Sequence, residues 1–367
     1  MQGDLVAERG NKTMRLADRF LGVPLSLPAA IYRKLFRPRV DCYNKIAVIC
    51  LGAIGDLLLV SGLTQGLKTR LSGAQVTLIT TKANSVATAF IPGIDRAVSF
   101  SIADISGILG FMRKERFDLV MDTTQWARIG SLISAFSKAG LTVGFKTKGQ
   151  ARGLPYDIRV EHRQDIHEAE NFLNLGRAVF GEMDASPVLL AAGGTEFPEK
   201  PYIICHMWAA GSHKAEKEWP YEKWATLADY LTKQGFSVFF SGSGADREET
   251  EAFIQSFFLG NPKVRSIAGK YPLEAFGALL RGARAMISVN TGMMHLAALQ
   301  NVPTIGFHGP SSPARWGPLG QTAYALVHDG VENFPNMEFK RCSDDRSFTR
   351  HIQVEEVLEA FKKLPEK

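Results

Sequence analysis

From Lys45 to His308 the chain repeats one pattern, a short apolar run followed by an amphipathic segment long enough for a helix. This alternation marks strands and helices wound around a parallel sheet. A strand covered on both faces reads as a continuous apolar run, and each parallel crossover needs a helix. Two such series are present. In the first, strands are expected from Ile46 to Leu51, Gln75 to Thr80, Leu119 to Asp122 and Thr142 to Phe145, with helices near 56–71, 102–114 and 125–138. In the second, they are expected from Tyr202 to His206, Ser237 to Ser241, Ala285 to Val289 and Thr304 to His308, with helices near 221–234, 245–258, 272–281 and 292–299. Between the series a helical stretch near 165–180 gives way to Pro187, the Ala-Ala-Gly-Gly run at 191–194, Pro198 and Pro201, which is linker composition. The expected division is an N-terminal extension (1–44), two Rossmann-like domains (45–185 and 186–345) and a C-terminal helix (346–367) that packs across both domains. Two facing open sheets would hold a ligand in the cleft lined by the loops that follow their strands.

With 45% hydrophobic and 22% charged residues, the chain is neither a disordered polymer nor a multi-span membrane protein. Four cysteines are spread singly, with no CxxC pair and no Cys/His cluster at zinc spacing, which fits a reducing cytoplasm and indicates no metal. The net charge of +6 is concentrated at one end, since residues 1–45 hold nine basic and four acidic side chains. Their longest uncharged run, Phe20 to Tyr32, is 13 residues broken by Pro24 and Pro28, against about 20 needed to span a bilayer. The basic-apolar stretch from Arg33 to Arg39 suits either an anionic membrane surface, reached through residues 1–40, or a solvated or domain-packed extension. No nucleic-acid partner is expected.

Four segments could carry chemistry. Gly52 and Gly55 let the backbone turn sharply after the first strand and open a helix beginning at Asp56. Asp56 is either a helix cap or a general base. The segment lacks the third glycine of a dinucleotide site and the Lys-Ser/Thr ending of a P-loop, which disfavours a dehydrogenase. Lys217, ahead of Trp219-Pro220, could neutralise a phosphate or remain a solvated cation, and His213 and Lys214 share that ambiguity. Ser243 and Gly244 expose backbone donors at a helix start, either as an anion site or as a tight turn. Asn290 is expected to cap the helix after the third strand of the second series, with Thr291 and Gly292 in its first turn and His295 one turn on.

These segments resemble glycosyltransferase family nine, the lipopolysaccharide heptosyltransferases. The resemblance is carried by GAIGDLLL (52–59), KEWPYEKWATLADYL (217–231), SGSGAD (241–246) and NTGMMHLAALQNVPTIGFHGPSSP (290–313). It implies a GT-B fold, with a nucleotide-sugar donor, commonly ADP-heptose, in the second domain and a lipopolysaccharide-core hydroxyl presented by the first. Asp56 matches the family's proposed base and Lys217 its basic donor position. Thr291, Gly292 and His295 match its donor-diphosphate loop. Asn290 stands where the family usually has Asp, and Ser61-Gly62-Leu63 where a Pro is common. No DxD pair is present, so the implied reaction is a metal-independent inverting displacement without cofactor. The alternatives are a family member using another nucleotide sugar for a different surface glycan, and a catalytically silent glycan-binding subunit.

Overall fold

The computed structural model describes residues 16, 18–147, 150–191, 193, 201–209, 214–309, 311–328 and 348–365. Most of the 191–200 linker, residues 1–15, His213, Pro310 and Cys342 lie outside the described residues. The chain divides into two compact units that part between Leu190 and Ala191.

The strands of the first unit are β1 (Lys45–Cys50), β2 (Gln75–Thr81), β3 (Arg96–Phe100), β4 (Leu119–Asp122), β5 (Leu141–Lys146) and β6 (Ile158–Glu161). They form one parallel sheet in the order β3-β2-β1-β4-β5-β6. The second unit contains β7 (Tyr202–His206), β8 (Ser237–Ser241), β9 (Val264–Ser266), β10 (Ala285–Val289), β11 (Thr304–Phe307) and β12 (Ala323–Leu326), ordered β12-β11-β10-β7-β8-β9 and again all parallel. Renumbered within its own unit, the second sheet has the same 3-2-1-4-5-6 order as the first. Each is a doubly wound sheet whose strand order reverses beside its first strand.

The four inner strands of each sheet are those expected from the sequence. The four edges, β3, β6, β9 and β12, were not. They are short and each carries one or more exposed positions, alternating with partly buried ones in Ile158–Glu161, so no continuous apolar run announces them.

The single helix expected over 56–71 is two, Ile54–Leu59 and Ser61–Arg70, meeting at Val60. A side chain at Gly62 would meet the Pro187 backbone nitrogen at 3.1 Å, and one at Gly66 would meet the Met183 sulfur at 2.8 Å. The missing family proline therefore coincides with a helix face kept bare so that residues 183–187 can cross it.

Part of the N-terminal extension belongs to the first unit. One wide helical turn, Asp18–Gly22, leads into the helix Val23–Phe36, which packs on Ile129–Phe136. Arg33 is buried there and pairs with Asp157 at 2.6 Å, while also donating to the carbonyl of Gly140 at 3.0 Å. At the other end, Asp18 pairs with buried Arg128. Packing against a domain is thus realised for this segment's inner face.

The second unit has an aromatic core. Trp219 meets Trp224 edge-on at 5.1 Å, and Trp224 stacks on Phe307 at 5.4 Å. The C-terminal helix, Val354–Lys362, adds Val357 and Phe361 to this core and packs on Tyr221–Lys233 and β12. Its apolar face closes the second sheet, where each large buried side chain is worth about 1.5–3 kcal/mol.

Candidate active site

In open parallel sheets, ligands bind beyond the carboxyl ends of the strands where strand order reverses. That point lies between β1 and β4 in the first unit and between β7 and β10 in the second. The residues singled out from the sequence fall in these loops and the one after β8.

Asp56 is the third residue of the helix that follows β1 and is 8% exposed. One carboxylate oxygen accepts the backbone N–H of Ala53 at 2.8 Å; the other accepts from the Gln125 side-chain amide, also at 2.8 Å. The capping role weighed in the sequence is real, but it uses one oxygen. Gln125 reaches across from the loop after β4, so both sides of the reversal hold this carboxylate. Gly52 is required for the same reason, since a Cβ there would lie 2.5 Å from an Asp56 oxygen. Asn84 ties the turn down from behind, donating to the carbonyls of Cys50 and Gly52, each at 3.0 Å. Gly55 is buried within the helix itself.

Behind this turn lies a second buried carboxylate, Asp122, at the end of β4. It accepts from the Tyr156 hydroxyl and from Thr124 N–H at 2.8 Å, with Arg152 3.6 Å away. Burial raises its pKa above the ordinary carboxylate range, opposed by Arg152 and the hydrogen bonds. Burial, with Asp56 and Asp122 adding repulsion, pushes the Cys50 thiol up to about 12. Gln125, Asn84 and Asp122 went unrecognised in the sequence. The available signal was Asp-Thr-Thr-Gln directly after a buried strand, polar residues where an apolar run stops.

In the second unit, Lys217 ends the short turn Lys214–Lys217 after β7 and is half-buried. Glu218 closes that loop by accepting Ala209 N–H at 3.1 Å. Lys214 lies over the Trp208 ring at 5.2 Å and pairs with Glu218 at 3.4 Å. Ser243 donates to Asp246 from both its N–H, at 2.7 Å, and its hydroxyl, at 2.6 Å, ahead of the three-residue turn Gly244–Asp246. The anion expected at that helix start is therefore met by the chain's own carboxylate.

The loop after β10 differs from expectation in one residue. The cap of helix Gly292–Leu299 is Thr291, and Asn290 points elsewhere, its amide nitrogen 2.5 Å from the Ser311 hydroxyl and 3.3 Å from His308 Nδ1. Asn290 thus fastens the loop after β10 to the loop after β11. Thr291 makes no side-chain capping bond, and its buried hydroxyl has no partner among the described residues. The helix start carries the positive end of the backbone dipole, with nothing from the Thr291 side chain spent on its N–H groups. His295 is buried one turn further on. His206, at the end of β7, contacts the Ser241 hydroxyl at 3.0 Å, and burial lowers its pKa to about 4.

No group of three or more His, Cys, Asp or Glu is gathered in metal-binding fashion among the described residues.

Residues 111–343 match the model of Glycosyltransferase family 9 (heptosyltransferase). The chain belongs to this family. Being a family member, it is a glycosyltransferase, and its two α/β units have the GT-B fold. Over 343 residues it is 24% identical to the lipopolysaccharide core heptosyltransferase OpsX of Haemophilus influenzae, covering 88% of this chain and 97% of that protein. Among solved structures, E. coli ADP-heptose lps heptosyltransferase II superposes with a TM-score of 0.69 at 22% identity, over 87% of this chain and 97% of that one. The glycosyl transferase family 9 protein of Veillonella parvula superposes with a TM-score of 0.71 at 20% identity, over 87% and 96%. The family match takes in all the candidate donor loops.

Proposed function

We propose that the chain transfers a heptose from ADP-heptose to a hydroxyl of the lipopolysaccharide inner core, with Asp56 as the general base. The observation that carries this reading is the Asp56 carboxylate, held from two directions at the switch point of the first sheet. The proposed step is a single displacement. The acceptor oxygen bonds to the anomeric carbon as the bond from that carbon to the diphosphate breaks. The hydroxyl proton passes to Asp56, ADP departs, and the anomeric configuration inverts.

Charge leaving on the diphosphate needs stabilisation, and the second unit offers it without a metal. Lys217 supplies a cation. Thr291 and Gly292 supply a helix start without a side-chain capping bond and a hydroxyl with no partner among the described residues, with His295 buried one turn further on. Ser243 and Gly244, whose turn Asp246 already closes, are assigned to the neutral part of the donor, where a phosphate would meet like charge. Asn290 acts by holding the β10 and β11 loops together, and its lack of charge favours testing donors other than ADP-heptose. The reaction is placed in the cytoplasm, in keeping with free thiols at Cys42, Cys50 and Cys205.

The test is Asp56→Asn. Turnover should fall about a hundredfold or more, because positioned general bases contribute that much, while the dissociation constant for donor stays unchanged. Undiminished turnover would remove Asp56 from the mechanism. Titrating nucleotide sugars singly in a calorimeter identifies the donor, and binding without any transfer or donor hydrolysis would favour the silent-subunit reading.

A further inference from the structure

The helix Val23–Phe36 is amphipathic the wrong way round. Its buried stripe is Gly22, Ser26, Ala29 and Arg33, small or polar residues spaced for one face. The opposite stripe is Phe20, Pro24, Leu27, Ile31 and Leu35, all exposed, with Phe20 and Leu35 each at 69%. Of the 18 large hydrophobic residues exposed among the described residues, nine lie between Leu16 and Phe36. Scattered exposed leucines need no explanation, whereas a continuous stripe does.

This stripe cannot roll inward. Asp18 with Arg128 at one end and Arg33 with Asp157 at the other pin the inner face, and each pair includes a buried arginine that would lose its partner. The charge around the stripe is of one sign. Residues 19–40 contain no Asp or Glu, and Arg19, Lys34, Arg37 and Arg39 are exposed. A second copy of this chain docking through the stripe would bring those cations against their own kind. An anionic lipid headgroup layer complements both the apolar stripe and its basic border. No helix among the described residues is long and apolar enough to cross a membrane.

We propose that residues 18–39 are an in-plane membrane-binding element that seats the first unit on an anionic lipid surface, with Phe20, Leu27, Ile31 and Leu35 entering the headgroup boundary. The inference stands on this helix alone and holds whichever sugar is transferred.

The full chain is mixed with vesicles of phosphatidylcholine containing phosphatidylglycerol, and with vesicles of phosphatidylcholine alone, and the bound fraction is sedimented. The unsubstituted chain should bind the anionic vesicles. Leu27→Ser, Ile31→Ser and Leu35→Ser combined should lower partitioning about tenfold or more, since binding scales with inserted apolar area, with an unchanged melting temperature. Lys34→Gln with Arg39→Gln should reduce the preference for the anionic vesicles. Independently of those variants, Leu27→Trp should show a blue-shifted emission on adding anionic vesicles. The proposal is overturned if the unsubstituted chain sediments with neither vesicle, if the triple variant binds equally well, if Leu27→Trp emission does not move, or if the stripe proves to hold a dimer that the triple variant dissociates.

Discussion

Gly52→Ala isolates the position of the proposed base from its chemistry. Gly52 does not have a left-handed backbone, so alanine fits the chain geometry and the only conflict is steric. The new Cβ would lie 2.5 Å from Asp56 Oδ2, 2.9 Å from its Cγ and 3.0 Å from its Cβ, all in one side chain. Ordinary contact begins at 3.4 Å, so the oxygen must withdraw by about 3.4 − 2.5 = 0.9 Å. That exceeds the ~0.5 Å within which a catalytic group must be held, and a displacement of ~1 Å can cost about a hundredfold, or about 2.7 kcal/mol of barrier. Steady-state transfer should therefore show kcat lowered about a hundredfold with donor KM little changed. In an Asp56→Asn background the same substitution should cost far less, because the two act through one carboxylate. A folded Gly52→Ala protein with normal kcat, or a full additional loss in the Asp56→Asn background, would refute the reasoning.

Lys217→Ala should weaken ADP binding about tenfold in calorimetry, the scale of one charge-assisted contact, and an unchanged dissociation constant would return Lys217 to the solvated surface. Dialysis against EDTA should leave transfer intact; activity lost and then restored by a divalent ion would reject metal independence. His206 makes stability depend on pH. Its folded pKa of about 4 lies below the ordinary 6.5, so the unfolded chain takes the proton first. The stabilisation is complete above pH ~6.5 and is lost as pH falls towards 4, in total about 3 kcal/mol. Urea unfolding followed by tryptophan emission should show this slope, and His206→Gln should flatten it; four of the five tryptophans lie in the second unit.

The inner strands were legible because a strand covered by helices on both faces has only apolar side chains to offer, as in Ile46–Ile49 and Ile203–Cys205. Edge strands have one open side and lose that signature, which is why Arg96–Phe100 and Ala323–Leu326 escaped. Asp56 could be found from the glycines around it, whereas its partner Gln125 is 69 residues away and is brought near only by the pairing of β1 with β4. Asn290 was misplaced by one position as a cap because local preference favours it there; its bonds to Ser311 and His308 come from the neighbouring strand. The helix Val23–Phe36 was not foreseen for a related reason: the small residues Ser26 and Ala29 that pack against the body leave hardly any trace in the sequence.

The pairing of Arg33 with Asp157 also limits how the protein can be shortened. Charge arithmetic invites trimming at about residue 44, ahead of β1, as though a detachable tail were being removed. Such a cut would leave Asp157, only 9% exposed, as an orphaned anion beside Thr142, and strip two backbone carbonyls of their donor. The first sheet would then be anchored on one side fewer. The terminus that looks most expendable is a structural tenon of the fold.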